Sequence, residues 1–408
     1  MSEFKRSKRI AVAALAAALA MPVLAWEARD ANAATAASSE ATGIRITMNG
    51  SLFQPETPAL AINGTIYLPV RDTGELLDTV VDWHGSVKLV SMTYPKLTVR
   101  LALGSDEAIV NGKPRKLTTP LRSIDGRIYV PMRFFSEAMD ADVSWQPAER
   151  TVAIKKKDEY AIGGGTWINR ETGQLYISRP SNQAPVEYGR LETTGFKGEL
   201  ALYGYGHDGL YLFADTYGEP KERKHDVYGV FILNKKIVAQ RKATYSGRLE
   251  ERFGTSYQYL DENAKKWVQV YLLSDGRKVA FFSADGIVIR EHDLTALTGK
   301  EDNYAVLGAG EDFIVVRPES TGYVTLINLK DRATAEMYDK LLKDADLERV
   351  LGQGGTISRD DIQFIGEDRG TLYFGYRRPN GKGGYDFVRL SYVLAAGLVN
   401  VEPNGPYG

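Results

Sequence analysis

The chain has 408 residues, of which 43% are hydrophobic, 25% are charged and 10% are aromatic. This composition excludes a disordered chain, which would carry few aromatic residues and an unbalanced charge. The 51 basic and 52 acidic residues nearly cancel, so we expect no nucleic-acid partner. With no cysteine and four histidines, the chain cannot build disulfides, thiolate nucleophiles or zinc ribbons, and transition-metal sites are disfavoured.

The first 33 residues read as a secretory signal peptide. Basic residues at 5–9 precede an uncharged, alanine-rich run at 10–25, and an Ala-Asn-Ala cleavage site ends at Ala33. A cut after Ala25 and an uncleaved anchor helix are the alternatives, although the 16-residue run is shorter than the roughly 20 residues of a spanning helix. We therefore expect a linker over 34–42 and an exported chain without a membrane span, which is either secreted and extracellular or associated with the cell wall.

One repeat dominates the next part of the sequence. Residues 49–90 match residues 111–152 at a constant offset of 62, without a gap, and 15 of the 42 positions are identical. The shared motif has the form I-x-G-x-I-Y-[LV]-P-[VM]-R, followed by E-x-x-D and V-x-W. Its main positions are Gly64, Tyr67, Pro69, Arg71, Glu75 and Trp83 in the first copy, and Gly126, Tyr129, Pro131, Arg133, Glu137 and Trp145 in the second.

Each copy is predicted to run strand, turn, strand, short helix, strand, turn, strand. The dipeptides at 63–64 and 125–126 are Asn-Gly and Asp-Gly, which favour two-residue hairpin turns. The proline that ends each following strand suits the first position of a helix, so we expect helices over 70–77 and 132–139. The repeated unit is therefore predicted to be α+β, an antiparallel sheet with short helices.

Two arginines of the motif allow more than one interpretation. Arg71 and Arg133 would suit an anion clamp, but each would also pair with the glutamate four residues on or pack over the following tryptophan. We favour the framework role, because both arginines recur together with the whole motif. If the Trp145 ring is buried in this framework, Trp145→Ala would cost about 3 to 5 kcal/mol.

The doubled motif resembles the copper amine oxidase N-terminal domain family, a stalk domain found on exported proteins of Gram-positive bacteria such as the paenibacilli. The resemblance covers residues 43–157, which we call the stalk unit, and it implies an antiparallel sheet around a helix in a non-catalytic module. It implies no amine oxidase activity, because the oxidase needs three copper-binding histidines and an Asn-Tyr-Asp or Asn-Tyr-Glu cofactor site. The nearest string here is Asn303-Tyr304-Ala305. We expect no cofactor and no bound metal.

Residues 160–397 are predicted to form a β-rich domain, followed by a C-terminal tail over 398–408. Turn residues precede five short apolar runs, and these runs start near residues 173, 209, 276, 311 and 370. Two gaps lie near 36 residues and one is about twice as long, which favours repeated sheet units of about 40 residues. We expect five or six such units in a divergent β-propeller, with a large sandwich as the alternative.

Few side chains of the β-rich domain suggest catalysis. The His–acid neighbours are His207-Asp208, His225-Asp226 and Glu291-His292-Asp293. We expect each group to be solvated turn residues, not an oriented general base. Carboxylate pairs at 311–312, 360–361 and 367–368 keep a glycosidase open, since that chemistry needs two carboxyl groups about 5 to 9 Å apart. The 23 tyrosines favour a binding surface.

These features predict an exported, non-catalytic cell-envelope protein. Its stalk unit would tether or present a β-rich domain that binds a cell-wall polymer or an envelope protein. The alternatives are a carbohydrate-active enzyme that uses acidic turns of the β-rich domain, and a structural or self-assembling surface protein. The sequence leaves the oligomeric state and the ligand open.

Overall fold

The computed structural model of the chain describes residues 43–178, 184–205, 209–246, 253–261, 263–352, 360–381, 383–395 and 398–402. Strands predominate, and the few helices are short. The expected signal peptide, its cleavage site at Ala33 and the linker over 34–42 lie outside the described residues, as does His207-Asp208.

The stalk unit contains the predicted order of elements twice, after an additional hairpin in each copy. The first copy consists of β1 (Arg45–Met48), β2 (Ser51–Phe53), β3 (Leu60–Ile62), β4 (Thr65–Pro69), α1 (Val70–Leu76), β5 (Val80–His84) and β6 (Leu89–Tyr94). Strand β7 (Leu97–Ala102) links the copies. The second copy consists of β8 (Glu107–Val110), β9 (Lys113–Lys116), β10 (Arg122–Ile124), β11 (Arg127–Pro131), α2 (Met132–Ala138), β12 (Asp142–Gln146) and β13 (Thr151–Lys155).

The hairpin turns of the two copies have the same backbone conformation. Asn63 and Gly64 have φ angles of 49° and 77°, and Asp125 and Gly126 have φ angles of 49° and 75°. Two successive positive φ angles define the type I′ turn, whose twist suits a two-residue hairpin and which favours Asn-Gly and Asp-Gly. The turn chemistry read from the sequence therefore accounts for the β3–β4 and β10–β11 hairpins.

Three sheets surround the core of the stalk unit. Their strand orders are β12-β13-β1-β2, β10-β11-β4-β3 and β5-β6-β7-β8-β9. In the sheet β10-β11-β4-β3 the two copies meet through antiparallel pairing of β4 with β11. Leu68 lies opposite Val130, Tyr67 opposite Pro131 and Pro69 opposite Tyr129. The pairing is thus symmetric about Leu68 and Val130. Strands β1 and β13 pair parallel, so the prediction of an antiparallel sheet is incomplete there.

The two short helices pack against this core. Met132 and Phe135 of α2 are buried, and Ala138 and Met139 lie partly buried beside them, as the predicted apolar stripe requires. Both helices begin at the predicted residues, 70 and 132, and each ends one residue earlier than predicted. Pro69 and Pro131 end strands β4 and β11 and occupy the N-cap position, where the missing N–H of proline leaves no donor unsatisfied.

The β-rich domain consists of five successive four-stranded antiparallel sheets in the described residues, each formed by strands adjacent in the sequence. The first two sheets contain β14 (Tyr160–Gly163), β15 (Thr166–Asn169), β16 (Gln174–Ile177) and β17 (Val186–Arg190), then β18 (Glu199–Tyr205), β19 (Leu210–Tyr217), β20 (Lys224–Leu233) and β21 (Lys236–Ser246). The third contains β22 (Ser256–Asp261), β23 (Lys266–Ser274), β24 (Lys278–Phe282) and β25 (Val288–Asp293).

Helices flank the remaining two sheets. The fourth sheet contains β26 (Tyr304–Ala309), β27 (Phe313–Pro318), β28 (Thr325–Asn328) and β29 (Thr334–Glu336), and the fifth contains β30 (Ile362–Asp368), β31 (Thr371–Pro379), β32 (Tyr385–Val393) and β33 (Leu398–Glu402). Helix α3 (Leu294–Thr298) precedes the fourth sheet, and α4 (Met337–Leu341) and α5 (Asp344–Gly352) lie between the fourth and the fifth. Residues 398–402, which we expected in the C-terminal tail, pair with β32, so the β-rich domain extends to residue 402.

The five apolar runs found in the sequence are all strands, but they are not equivalent strands. Those at 174–177 and 278–282 are the third strands of their sheets, whereas those at 210–213, 313–316 and 371–374 belong to second strands. The gaps of about 36 residues therefore mix different positions and do not measure a repeat length. The described residues of the domain contain five sheets, within the expected five or six, although the spacing argument behind that expectation was wrong.

Successive sheets pack face to face. Ile168 and Leu175 of the first sheet share a core with Phe213 and Val230 of the second. Similar shared cores join the second sheet to the third, the third to the fourth and the fourth to the fifth. The first strands of several neighbouring sheets also approach each other, namely β14 with β18, β22 with β26, and β26 with β30. The domain is thus a series of small sheets in which each sheet shares a buried core with the next.

Candidate functional site

The repeated tyrosines of the stalk motif are part of the fold. Tyr67 and Tyr129 are buried together beside Leu60, on either side of the β4–β11 pairing. The Tyr67 hydroxyl donates to the carbonyl oxygen of Pro120 at 3.2 Å, and the Arg122 guanidinium lies 5.7 Å from the centre of its ring. These contacts hold the two copies together and leave neither ring open to a ligand.

The two motif tryptophans are more exposed than a framework role suggests. Trp83 on β5 is 39% exposed and Trp145 on β12 is 43% exposed. Each lies in a ladder pair with a valine, Val90 or Val152, whose own side chain is buried. Partial cover of the ring by the sheet explains its place in the motif, but the condition for a large Trp145→Ala effect is not met.

The motif arginines lie on the exposed sides of their helices. Arg133 Nε lies 3.9 Å from Glu137 Oε1, one helical turn away, and both side chains are more than half exposed. This is the framework pairing that we favoured over an anion clamp, and an exposed pair of this kind contributes only about 0.3 to 0.5 kcal/mol. Arg71 and Glu75 occupy the equivalent exposed positions on α1.

The structure overturns the prediction that His225 and Asp226 are solvated turn residues. Both lie inside β20, and both are buried. Asp226 accepts hydrogen bonds from Lys242 Nζ at 2.8 Å and Thr244 Oγ1 at 2.7 Å, and His225 Nδ1 lies 2.9 Å from Thr216 Oγ1. The flanking glycine and charged residues suggested a turn, but the strand runs through them because these polar groups find partners on β19 and β21.

Asp226 and its ladder partner Asp215 experience opposite environments. Burial alone would raise the pKa of Asp226, but the hydrogen bonds from Lys242 and Thr244 outweigh it and hold that pKa below its usual value. Burial raises the pKa of Asp215, although its carboxylate accepts from the backbone N–H groups of Lys197 and Gly198. Neither side chain reaches solvent, so the pair secures the second sheet and cannot contact a polymer.

The depressed pKa of Asp226 predicts a specific dependence of stability on pH. A carboxyl group with a folded pKa below its unfolded value of about 3.9 stabilises the fold above that pH, and the contribution is lost as the pH falls through the folded pKa. As the pH is lowered from about 5 to about 2, we expect the free energy of unfolding to fall less in Asp226→Asn than in the wild type. Urea denaturation at a series of pH values measures this difference. Parallel losses in the two proteins would contradict the assignment.

The third His–acid group lies partly in a strand and partly at a helix start. Glu291 and His292 belong to β25, where Arg241 lies 3.4 Å from Glu291 and the His292 ring packs edge-on against Phe281. Burial and the nearby Arg290 lower the pKa of His292. Asp293 caps α3 by accepting from the N–H of Ala296 at 2.9 Å. Turn chemistry therefore describes Asp293 alone.

The acidic pairs proposed for a glycosidase have separate structural partners. Asp312 binds Lys330 at 2.6 Å, and Glu367 Oε1 accepts from the N–H of Gly370 at 2.5 Å. Asp361 lies 3.2 Å from Arg349. Asp360 is fully buried and pairs with Arg317 at 2.8 Å. Four of these six carboxylates thus have separate partners, which does not support a shared catalytic cleft.

A cavity of about 350 Å³ lies between the α4–α5 segment and the fifth sheet. Leu342 and Leu390 supply apolar walls, and Tyr376 lies at the inner side. Three polar groups of this cavity bind each other, since Asp346 accepts from the Tyr376 hydroxyl at 3.1 Å and from Arg378 Nη2 at 2.7 Å. This network fastens α5 to the sheet.

The most exposed large apolar side chain in the described residues belongs to Trp267. It lies on β23 opposite Leu260 of β22, with 68% and 45% exposure, and the two share one face of the hairpin. The next pair on that face is Gln258 and Gln269, whose amides are hydrogen-bonded to each other at 2.6 Å. The surface formed by these four side chains, which we call the Trp267 face, places an aromatic ring beside amide groups.

The sequence carried only a weak signal for the Trp267 face. Tyr259 and Leu260 are both apolar, and alternation alone does not tell which of them faces the core. In the structure Tyr257, Tyr259 and Val268 pack toward the fourth sheet, which leaves Leu260 and Trp267 on the opposite face. Sequence analysis therefore missed the most exposed large apolar side chain of the described residues.

The described part of the chain contains neither a membrane-spanning helix nor a metal-binding cluster. No helix there is both long and apolar enough to cross a membrane. Across those same residues, no three histidine or carboxylate side chains gather in a group that could hold a metal ion.

No curated protein matches the chain. Several solved structures show weak likeness. Apo AztD from Citrobacter koseri is 13% identical over 63% of this chain and 85% of its own, with a TM-score of 0.19. A protein of unknown function from Bacteroides caccae is 10% identical over 72% and 85%, with a TM-score of 0.22, and a chain of a nidogen–laminin complex is 10% identical over 63% and 78%, with a TM-score of 0.20. Scores this low carry no argument about function.

The stalk unit has a clearer relationship. Its repeated motif, its paired type I′ hairpins and its two short helices all fall within one stretch of about a quarter of the sequence. Residues 47–154 match the copper amine oxidase N-terminal domain family, so this part of the chain is similar to that domain.

Proposed function

We propose that the protein is an exported, non-catalytic cell-envelope protein whose stalk unit presents the β-rich domain for binding to a cell-wall polymer. The leader at residues 1–33 and the doubled stalk motif support export and the envelope. The observation that carries the binding role is the Trp267 face. An exposed tryptophan on a rigid strand provides contact area at little cost in conformational entropy.

The composition of the Trp267 face favours a polymer rich in hydroxyl groups. The indole ring and Leu260 would cover an apolar sugar face, and the amides of Gln258 and Gln269 both donate and accept hydrogen bonds. Neither amide carries a charge that would have to be desolvated on binding. A protein partner of the envelope is the second candidate, since exposed apolar patches also mark protein interfaces.

We also infer that the five sheets form a divergent five-bladed β-propeller. The support is the chain-order meander of every sheet, the cores shared between neighbouring sheets and the approach of first strands β14 to β18, β22 to β26, and β26 to β30. In a propeller the first strand of each blade lines the centre, so the turn of the β22–β23 hairpin would lie at one end of the ring, close to the centre.

The Trp267 face can be tested by substitution. We expect Trp267→Ala to weaken binding of the mature chain to isolated cell walls by about tenfold, because truncating a central aromatic contact costs more than about 1 kcal/mol. Tyr385→Ala is the matched control, since Tyr385 is an aromatic residue on the fifth sheet with 63% exposure. Pelleting the walls over a range of protein concentrations gives both dissociation constants.

Two outcomes would count against the proposal. If the wild-type chain does not bind walls, the binding role fails. If the wild type binds and both variants bind equally well, the Trp267 face is not the contact surface.

A further inference from the structure

The stalk unit and the β-rich domain meet at the end of helix α1. Two backbone carbonyl oxygens just past this helix accept hydrogen bonds, one from Lys156 at the end of the stalk unit and one from Trp167 of the β-rich domain. Lys156 Nζ lies 3.3 Å from the Leu77 oxygen, and Trp167 Nε1 lies 3.1 Å from the Asp78 oxygen. The C-terminal end of a helix carries unsatisfied carbonyl groups and a partial negative charge, so a cation and an N–H donor are stabilising there.

Lys156 is held from several sides. Its ammonium group lies 3.2 Å from the Tyr94 hydroxyl, 4.4 Å from the centre of that ring and 4.0 Å from Asp78 Oδ2, and the side chain is 11% exposed. Burial lowers the pKa of Lys156, while the Asp78 charge acts in the opposite direction. A lysine in this position has its charge matched by the helix end, the carboxylate and the ring together.

Aromatic side chains close the junction from the β-rich side. Trp167 on β15 is 2% exposed, and Tyr160 on β14 stands edge-on to Tyr94 with ring centres 5.3 Å apart. Tyr176 on β16 packs on the other side of Tyr160 at 6.0 Å. The rings of the first sheet of the β-rich domain thus pack directly on the stalk unit.

The connection between the domains is short, and three of its four residues form hydrogen bonds or ion pairs with the domains. Four residues separate β13 from β14. The Lys156 N–H donates to Asn49 Oδ1 at 2.9 Å, Arg170 Nε lies 3.0 Å from Asp158 Oδ2, and Asn169 Nδ2 donates to Glu159 Oε1 at 3.0 Å. A flexible linker would leave these groups to water.

The internal repeat shows how specialised this junction is. Asp78 and Asp140 occupy equivalent positions after α1 and α2, and both have a φ of 57°. Both side chains are exposed, but the backbone carbonyl oxygens of Leu77 and Asp78 accept hydrogen bonds from Lys156 and Trp167. Tyr94 and Lys156 are themselves equivalent in the two copies, and here they contact each other. The same position of the repeat is therefore a tyrosine in the first copy and a lysine in the second, and these two side chains contact each other at the junction.

We propose that Lys156 and Trp167 form a latch on the end of α1 that holds the β-rich domain in one orientation relative to the stalk unit. The connection at 156–159 then acts as a rigid joint. Domains in one chain usually move relative to each other unless their interface is extensive and apolar. The latch removes that freedom, whatever the β-rich domain binds.

The absence of cysteine from the sequence allows a direct test. Two cysteines, Lys113→Cys on β9 and Glu219→Cys after β19, place nitroxide labels on exposed sites of the two domains in the mature chain. Pulsed electron paramagnetic resonance then measures the distribution of distances between them. We expect one narrow distribution for the parent protein.

Two variants open the latch in different ways. Trp167→Phe removes the indole donor and keeps an aromatic ring, and Lys156→Met removes the charge and keeps the aliphatic stem. We expect each to broaden the distribution at least twofold, and Lys155→Met, an exposed lysine next to the latch, to leave it unchanged. Circular dichroism confirms that each variant is folded. A broad distribution in the parent protein would overturn the proposal, as would folded variants that keep the narrow one.

Discussion

Replacing Arg317 with methionine is expected to lower the free energy of unfolding by about 3 to 5 kcal/mol. Arg317 and Asp360 form an ion pair at 2.8 Å in which both side chains are almost completely buried. Arg317 also donates to the carbonyl oxygens of Gly322 at 2.6 Å and Ile362 at 2.7 Å, and Asp360 accepts from the N–H of Val324 at 2.7 Å. Without the guanidinium, the Asp360 charge stays buried without its counterion.

An exposed arginine provides the control for this substitution. Arg369 is 94% exposed and approaches Asp368 only at 4.0 Å, so Arg369→Met should change stability by no more than about 0.5 kcal/mol. Urea denaturation followed by tryptophan fluorescence measures both variants. If Arg317→Met lowers the free energy of unfolding by less than about 1 kcal/mol, then leaving the buried Asp360 carboxylate without its counterion does not have the expected cost.

The second large effect is expected in the core of the stalk unit. Phe135 on α2 is 1% exposed and packs among the core residues that both copies of the repeat contribute. Phe135→Ala removes most of that side chain and leaves a cavity, which should cost about 3 to 5 kcal/mol.

Trp145→Ala separates burial from residue size. Its ring is larger than that of Phe135 but 43% exposed, so we expect a loss of about 1 kcal/mol or less. Thermal unfolding monitored by calorimetry compares the two variants in the same chain. Equal losses would mean that the Trp145 ring packs more completely than its exposure indicates.

Local chemistry explains what the sequence predicted well. The Asn-Gly and Asp-Gly turns follow from the few residues that accept a positive φ, and the prolines at 69 and 131 mark the change from strand to helix. The same residues recur after 62 positions, so each turn and helix could be predicted independently in both copies. These features depend only on residues close together in the sequence, so they can be predicted without the structure.

Contacts between distant residues explain what the sequence did not predict. His225 and Asp226 look like turn residues until Thr216, Lys242 and Thr244 are placed beside them by the sheet. The outward direction of Trp267 follows from the neighbouring fourth sheet, not from alternation. The latch joins Lys156 to the end of α1 across 79 positions, and no local pattern indicates such a pair.

The proposed binding role is tested most directly by one measurement on the mature chain, residues 34–408. Isolated Gram-positive cell walls are incubated with increasing amounts of the protein and pelleted, and the supernatant is assayed for both protein and soluble sugar. We predict saturable binding to the pellet and no release of sugar. Protein that stays in the supernatant at every concentration, or sugar release that rises with the amount of protein, would contradict a non-catalytic wall-binding protein.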